Sequence, residues 1–249
     1  MKVKLVIVKD YNDMSKQAAK LIAEEVTRNP KTVLGLATGG TPVGMYRELV
    51  SLHQQDGVDF SQAQSFNLDE YVGLPSLHPQ SYRTYMNENL FAHINLPAEK
   101  THVPQGDAED LEAECKRYEQ AIAQAGGIDI QVLGIGNNGH IGFNEPGSTK
   151  DTTTRVVALT QSTIKANARY FDSIQEVPTQ AVSMGIQTIL GAKKIILLAS
   201  GEAKAQAVSQ MLEGELTADV PASLLQLHPD VTVIVDEEAA SALSAKLRS

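Results

Sequence analysis

A chain of 249 residues, 42% hydrophobic and 20% charged, can bury the core of one large α/β domain. Its formal net charge of −9 argues against a nucleic-acid-binding or anionic-membrane surface. One cysteine rules out a disulfide framework, and six histidines without H-x-H or H-E-x-x-H spacing give no metal motif.

The opening "MKVKLVIVKD" has an apolar run too short for a signal-peptide core, and no run reaches bilayer length, so a cytosolic protein is expected. "VKLVIVK" reads as a strand and residues 12–28 as a helix; "KTVLGLA" and "TPVGMYRELVSLHQ" repeat the pair. "AQSFNL" is a strand and "HPQSYRTYMNENLF" a helix, followed by a helix over 107–125 with Leu111, Cys115, Tyr118 and Ile122 on one stripe. Then come the strands "IDIQVLGI" and "TTRVVAL", a helix near 160–170 and the strand "KKIILLA". A helix over 202–213, the strand "VTVIV" and a last helix from Glu237 complete the pattern. No repeat or linker divides the chain. The alternation predicts a single α/β domain over 1–249, a mostly parallel open sheet with helices on both faces, Rossmann-like.

In such a sheet ligands bind beyond the carboxyl ends of the strands, so the residues just after each strand matter most. In "LGLATGGTPVGMY", Gly39 and Gly40 let the backbone approach a ligand, Thr41 is a suitable N-cap, and Pro42 fits a first helical turn. Free N–H groups at a helix start make an anion site, and without G-K-[S/T] a phosphate ester fits better than ATP. Two glycines alone would be an ordinary turn; T-G-G-T-P together points to phosphate. In "LLASGEAKAQAV", Lys204 falls in a first helical turn, where it opposes the macrodipole unless an anion offsets it. Arg169, in "KANARYFD", is a further candidate clamp, although either cation could equally be a solvated surface residue.

"SFNLDEYVGL" places Asp69 and Glu70 directly after a strand. A carboxylate enclosed there gains the raised pKa that a base acting on a carbon acid needs, whereas a lone D-E pair is ordinarily a solvated loop. "GIDIQVLGIGNNGHIGFNEPGS" contains G-x-G-x-x-G at Gly134, Gly136 and Gly139, the pattern of a dinucleotide turn. That reading fails on context, because His140, Gly142, Asn144 and Pro146 follow instead of a helix. The alternative is acid–base chemistry by His140, oriented by Glu145, with small residues between them leaving room for a substrate. Cys115 reads as core, and no G-x-S-x-G elbow supports a serine hydrolase.

"TGGTPVGMY", "FNLDEYVGL", "HPQSY", "GNNGHIGFNEP" and "LQLHP", in this order over nearly the whole chain, resemble the glucosamine-6-phosphate deaminase family. The resemblance implies conversion of glucosamine 6-phosphate and water to fructose 6-phosphate and ammonia, without metal or organic cofactor. By that resemblance, His140 assists ring opening, Glu145 orients it, and Asp69 moves a proton from C2 to C1. Thr38, Gly39, Gly40, Thr41, Arg169 and Lys204 would hold the phosphate. Asn138 stands where some members carry aspartate, so His140 should rely more on Glu145. Allosteric members have a lysine two residues after the arginine matching Arg155 and a longer tail; here Val157 occupies that place and the sequence ends at Ser249. Activation by N-acetylglucosamine 6-phosphate is therefore not expected, and a monomer or small homo-oligomer is. A 6-phosphogluconolactonase needs no base at C2, and a sugar-phosphate sensor joined to a DNA-binding segment would be basic; neither fits as well.

Overall fold

The computed structural model describes residues 3–248. In chain order the main elements are β1 (Val3–Val8), α1 (Tyr11–Arg28), β2 (Val33–Leu36), α2 (Val43–Asp56), β3 (Gln64–Asn67), β4 (Asp69–Tyr71), α3 (Tyr82–Asn89), β5 (Thr101–His102) and α4 (Leu111–Gln124). They continue with β6 (Ile130–Gly134), β7 (Arg155–Ala158), α5 (Gln161–Asn167), β8 (Gln180–Ser183), α6 (Ile186–Leu190), β9 (Lys194–Ala199), α7 (Ala205–Glu213), β10 (Val231–Asp236) and α8 (Ala245–Arg248).

Seven strands form one sheet in the order β1-β10-β9-β6-β2-β3-β5, every pair parallel. Strands covered on both faces read as continuous apolar runs, as "KIILLA" does in β9. One face packs Tyr118 and Ile122 of α4, Ile186 and Ile189 of α6 and Val208 and Met211 of α7 against the sheet. The other takes Met14, Ala18 and Ile22 of α1 with Met45, Tyr46 and Leu49 of α2. The expected doubly covered parallel sheet is therefore present.

Polar side chains set several helix starts. Asp10, Ser81, Asp110 and Thr160 each accept a backbone N–H from the first turn of α1, α3, α4 and α5. Helix α2 departs from expectation: Pro42, not Thr41, is its N-cap, and no side chain caps it. The segment 202–213 begins as a 3-10 turn, Glu202–Lys204, before α7.

Two further expectations are corrected. "TTRVVAL" does not join the main sheet; β7 pairs antiparallel with β8, which pairs antiparallel with β4. This three-stranded ribbon places Asp69 opposite Ser183. No helix starts at Glu237, because residues 237–243 are turns and only α8 is helical beyond them. The Asp236 carboxylate accepts the Ala239 N–H at 2.8 Å, and the turns deliver Ala239, Ala240 and Leu243 into the core.

Gly106 lies against β4: a Cβ there would stand 1.8 Å from the Tyr71 carbonyl oxygen. Gly106→Ala is expected to push β4 out of register and destabilise the protein by about 1–3 kcal/mol, measured by urea unfolding. An unchanged midpoint would show that β4 has slack.

Candidate active site

Beyond the carboxyl ends of β2, β3, β6 and β9 lies a cleft of about 690 Å³. It is lined by Asp69, Asn138 and His140 and by Thr38, Gly39, Gly40, Thr41, Arg169 and Lys204. Of the residues expected to catalyse or to hold the phosphate, Glu145 alone does not line it; its carboxylate lies 3.6 Å from His140 Nδ1.

The loop after β2 is built to present donors. Its carbonyl oxygens are occupied: Tyr46 Oη donates to Ala37 O (2.5 Å), Tyr85 Oη to Gly39 O (2.6 Å) and Tyr11 Oη to Gly40 O (3.0 Å). Tyr11 Oη in turn accepts the Gly44 N–H at 2.8 Å. Gly39 has φ +93°, which only glycine adopts readily. The N–H groups of Thr38, Gly39, Gly40 and Thr41 meet no backbone acceptor among the described residues. Unpaired in a loop that lines the cleft, such N–H groups are suited to holding an anion.

Lys204 lines the same cleft. Burial lowers its pKa, and its charge in turn lowers that of His140. The turn carrying it is fixed by Asp236, whose carboxylate accepts the Gly201 N–H at 3.1 Å and the Ser200 hydroxyl. Arg169 is exposed at the rim, donating to Tyr170 Oη at 2.7 Å with its guanidinium 4.7 Å from that ring's centre.

The loop after β6 assembles a hydrogen-bonded relay. Asn138 Oδ1 accepts the His140 backbone N–H (3.1 Å) and lies 2.8 Å from His140 Nδ1, while Asn138 Nδ2 donates to Glu145 Oε2 at 2.8 Å. An amide oxygen only accepts, so Nδ1 carries the proton and Nε2 keeps a free lone pair. His140 Nδ1 is 3.6 Å from Glu145 Oε2, too long for a hydrogen bond. The asparagine therefore stands between the two, and the histidine depends on Glu145 through it. Burial pushes the His140 pKa down, partly opposed by Glu145, so the neutral ring is favoured.

The glycines of this loop serve the histidine. A Cβ at Gly136 would lie 2.2 Å from His140 Nδ1, so the space left by its missing side chain is filled by the His140 ring. The loop is anchored below by Asn144, which accepts from Arg155 (2.9 Å) and donates to Met184 O (2.8 Å).

Asp69, 6% exposed, faces the same cleft beside Gly142. Burial, then the nearby Glu70 carboxylate, pushes its pKa up to about 8, with no hydrogen bond opposing the shift. The cleft thus unites an anion cradle, a neutral histidine with one free nitrogen and a carboxyl of high proton affinity.

Sequence reasoning missed Thr163 on α5, which donates to Glu145 Oε1 at 3.2 Å, and the three tyrosines bracing the anion loop. A helical threonine carries no signal of such a contact. Among the other histidines, His228 of "LQLHP" is structural, accepting the Asp230 N–H (3.1 Å) and donating to Ala192 O (2.6 Å). Cys115 is buried.

Residues 9–234 match the family model described as glucosamine-6-phosphate isomerases/6-phosphogluconolactonase. A glucosamine-6-phosphate deaminase of Clostridioides difficile is 57% identical over 244 residues, covering 98% of each chain. One of Thermoanaerobacter pseudethanolicus is 54% identical over 239 residues, covering 96% of this chain and 94% of its own. A solved structure described as a monomeric glucosamine-6-phosphate deaminase is 52% identical with a TM-score of 0.93, covering 97% of this chain and all of its own. The 6-phosphogluconolactonase of Trypanosoma cruzi, at 21% identity and a TM-score of 0.77 over 98% of each chain, shares the fold.

A carboxyl whose folded pKa is raised stabilises the fold below its unfolded pKa and loses that contribution as pH rises through the folded value. For Asp69 the window runs from the usual 3.8 to about 8. Asp69→Asn, which does not titrate, should melt progressively higher than wild type as pH rises from 4 to 8, then hold a constant margin. Parallel pH–Tm curves would refute the raised pKa.

Proposed function

The chain belongs to the family of glucosamine-6-phosphate isomerases and 6-phosphogluconolactonases, and from that premise we propose that it is a glucosamine-6-phosphate deaminase. It converts glucosamine 6-phosphate and water to fructose 6-phosphate and ammonia, and so serves amino-sugar breakdown. The observation that carries the reading is the buried Asp69 carboxyl, without a compensating hydrogen bond, in one cleft with the relay-held His140. A lactonase would need water activation and leave such a base idle.

The phosphate sits on the N–H groups of Thr38, Gly39, Gly40 and Thr41 with Lys204, and Arg169 swings from Tyr170 to close the rim. Binding energy from this remote group positions the reacting carbon. His140 Nε2 takes the C1 hydroxyl proton and returns one to the ring oxygen, opening the sugar. Asp69, ionised, removes the C2 proton; the electron pair moves toward C1 and O1 takes a proton from the substrate's own 2-ammonium group. Asp69 then delivers its proton to C1, leaving an imine at C2 that water hydrolyses to the ketone with release of ammonia. Asn138 and Glu145 hold the histidine tautomer that this sequence requires. Every step is proton transfer or water addition, so the reading calls for no metal or organic cofactor.

The whole chain acts as one domain. A monomer is the proposed state, supported by the solved relative described as monomeric. A cytosolic location is consistent with the described residues, where no helix is long and apolar enough to cross a membrane. Insensitivity to N-acetylglucosamine 6-phosphate is supported by Val157 and by Arg155, whose guanidinium is committed to Asn144.

Purified protein with a chelator present should form fructose 6-phosphate and ammonia in equal amounts from glucosamine 6-phosphate, and leave 6-phosphogluconolactone untouched. Folded protein yielding neither product would end this reading. Asp69→Asn should lose about 10²–10⁴-fold in kcat with KM little changed; retained turnover would remove Asp69 from the base role. Adding N-acetylglucosamine 6-phosphate should leave the substrate saturation curve in place.

A further inference from the structure

Glu70 follows Asp69 on β4, and successive strand side chains point to opposite faces. It is 2% exposed, and its carboxylate accepts three backbone N–H groups: Tyr71 (2.9 Å), Tyr82 (2.9 Å) and Arg83 (3.1 Å). Two of these belong to the first turn of α3, whose side-chain cap is already supplied by Ser81. The same helix turns Tyr82 onto Tyr71, ring centres 4.7 Å apart, and sends Tyr85 Oη to Gly39 O. A single buried carboxylate therefore ties the strand bearing Asp69 to the helix that braces the anion loop.

We propose that Glu70 is a positioning residue that joins β4 and α3 into one rigid body, fixing the distance between the Asp69 carboxylate and the anion cradle at Thr38–Thr41. The link sets where C2 of a phosphate-anchored sugar falls, and in that respect it rests on the deaminase reading. Glu70 also acts on Asp69 through charge. The tyrosines near Asp69 are Tyr46 of α2, Tyr71 of β4, Tyr82 of α3 and Tyr118 of α4, all with pKa values raised mainly by burial and hence neutral; across the cleft stand His140, whose pKa burial lowers, and the cationic Lys204. Arg83 faces Glu70. Glu70 is thus the negative charge that makes Asp69 harder to ionise; removing that charge lowers the pH at which Asp69 becomes a base.

Glu70→Gln keeps the shape but turns an amide toward backbone donors. In folded variant protein, kcat should fall and KM rise, together costing about tenfold to a hundredfold in kcat/KM. The acidic limb of the kcat/KM profile should move to lower pH, as should the Asp69 carboxyl midpoint measured by carbon-13 NMR in the free protein. Wild-type kcat and KM in folded Glu70→Gln, with only a lowered Tm, would overturn the proposal by making the role purely structural; an unmoved Asp69 midpoint would also overturn it. If Glu70→Gln does not fold, Tyr85→Phe decides: cutting only the far end of the link, it should raise KM at least threefold without moving the Asp69 midpoint, and an unchanged KM overturns the proposal. The NMR titration needs no substrate, so a wild type that fails to deaminate would end the functional reading while leaving this test standing.

Discussion

Asp69 is held where its charge is poorly solvated, and much of the surrounding structure serves to maintain that condition. Burying a carboxylate without a donor raises its proton affinity at the expense of stability in the ionised form. The antiparallel ribbon of β4, β8 and β7 keeps the residue from turning to solvent by pairing Asp69 directly with Ser183. Tyr71, Tyr82 and Phe143 stack around the same strand, so the wall of the cleft is aromatic where the base emerges. Burial raises the pKa of Glu70 too, but there three backbone N–H groups and the Arg83 charge oppose the shift, as nothing does at Asp69. Two adjacent carboxylates of one strand thus occupy environments of different character, one suited to holding a proton and one to holding a helix.

The electrostatics of the cleft run against those of the whole molecule. The net charge is −9, yet the cleft gathers four unpaired N–H groups, the half-buried Lys204 and, at its rim, Arg169. This local field is what the proposed reading assigns to a dianionic phosphate. The same arrangement keeps His140 neutral, because Lys204 and burial both work against its protonation.

The parallel sheet was legible because strands such as β9 and β10 are continuous apolar runs bounded by helical periods. The site was largely legible because its loops follow those strands. The ribbon was not: β4 has three residues and β8 four, "DEY" and "QAVS", with no alternation to read, and their pairing joins segments more than a hundred positions apart. Thr41 looked like a cap by composition, but an anion loop needs its donors uncapped. The turns after Glu237 are dictated by Asp236, whose second task of holding Gly201 is a tertiary fact. The G-x-G-x-x-G spacing does not reveal why Gly136 is a glycine: its missing side chain makes way for an imidazole.

The neutral amide of Asn138 has one further consequence. A carboxylate in that position could accept a proton from Nδ1 and pass it onward; an amide oxygen is too weak a base to do so. Glu145 lies beyond it at 3.6 Å from the ring, out of direct reach. The relay therefore transmits orientation while interrupting the proton wire. In the proposed reaction, a proton that His140 takes from the sugar has no outlet through the protein behind it, so it must go back to the sugar or to water in the cleft. Asn138 is an insulator, and in the proposed reaction it confines that proton to the sugar and the water of the cleft.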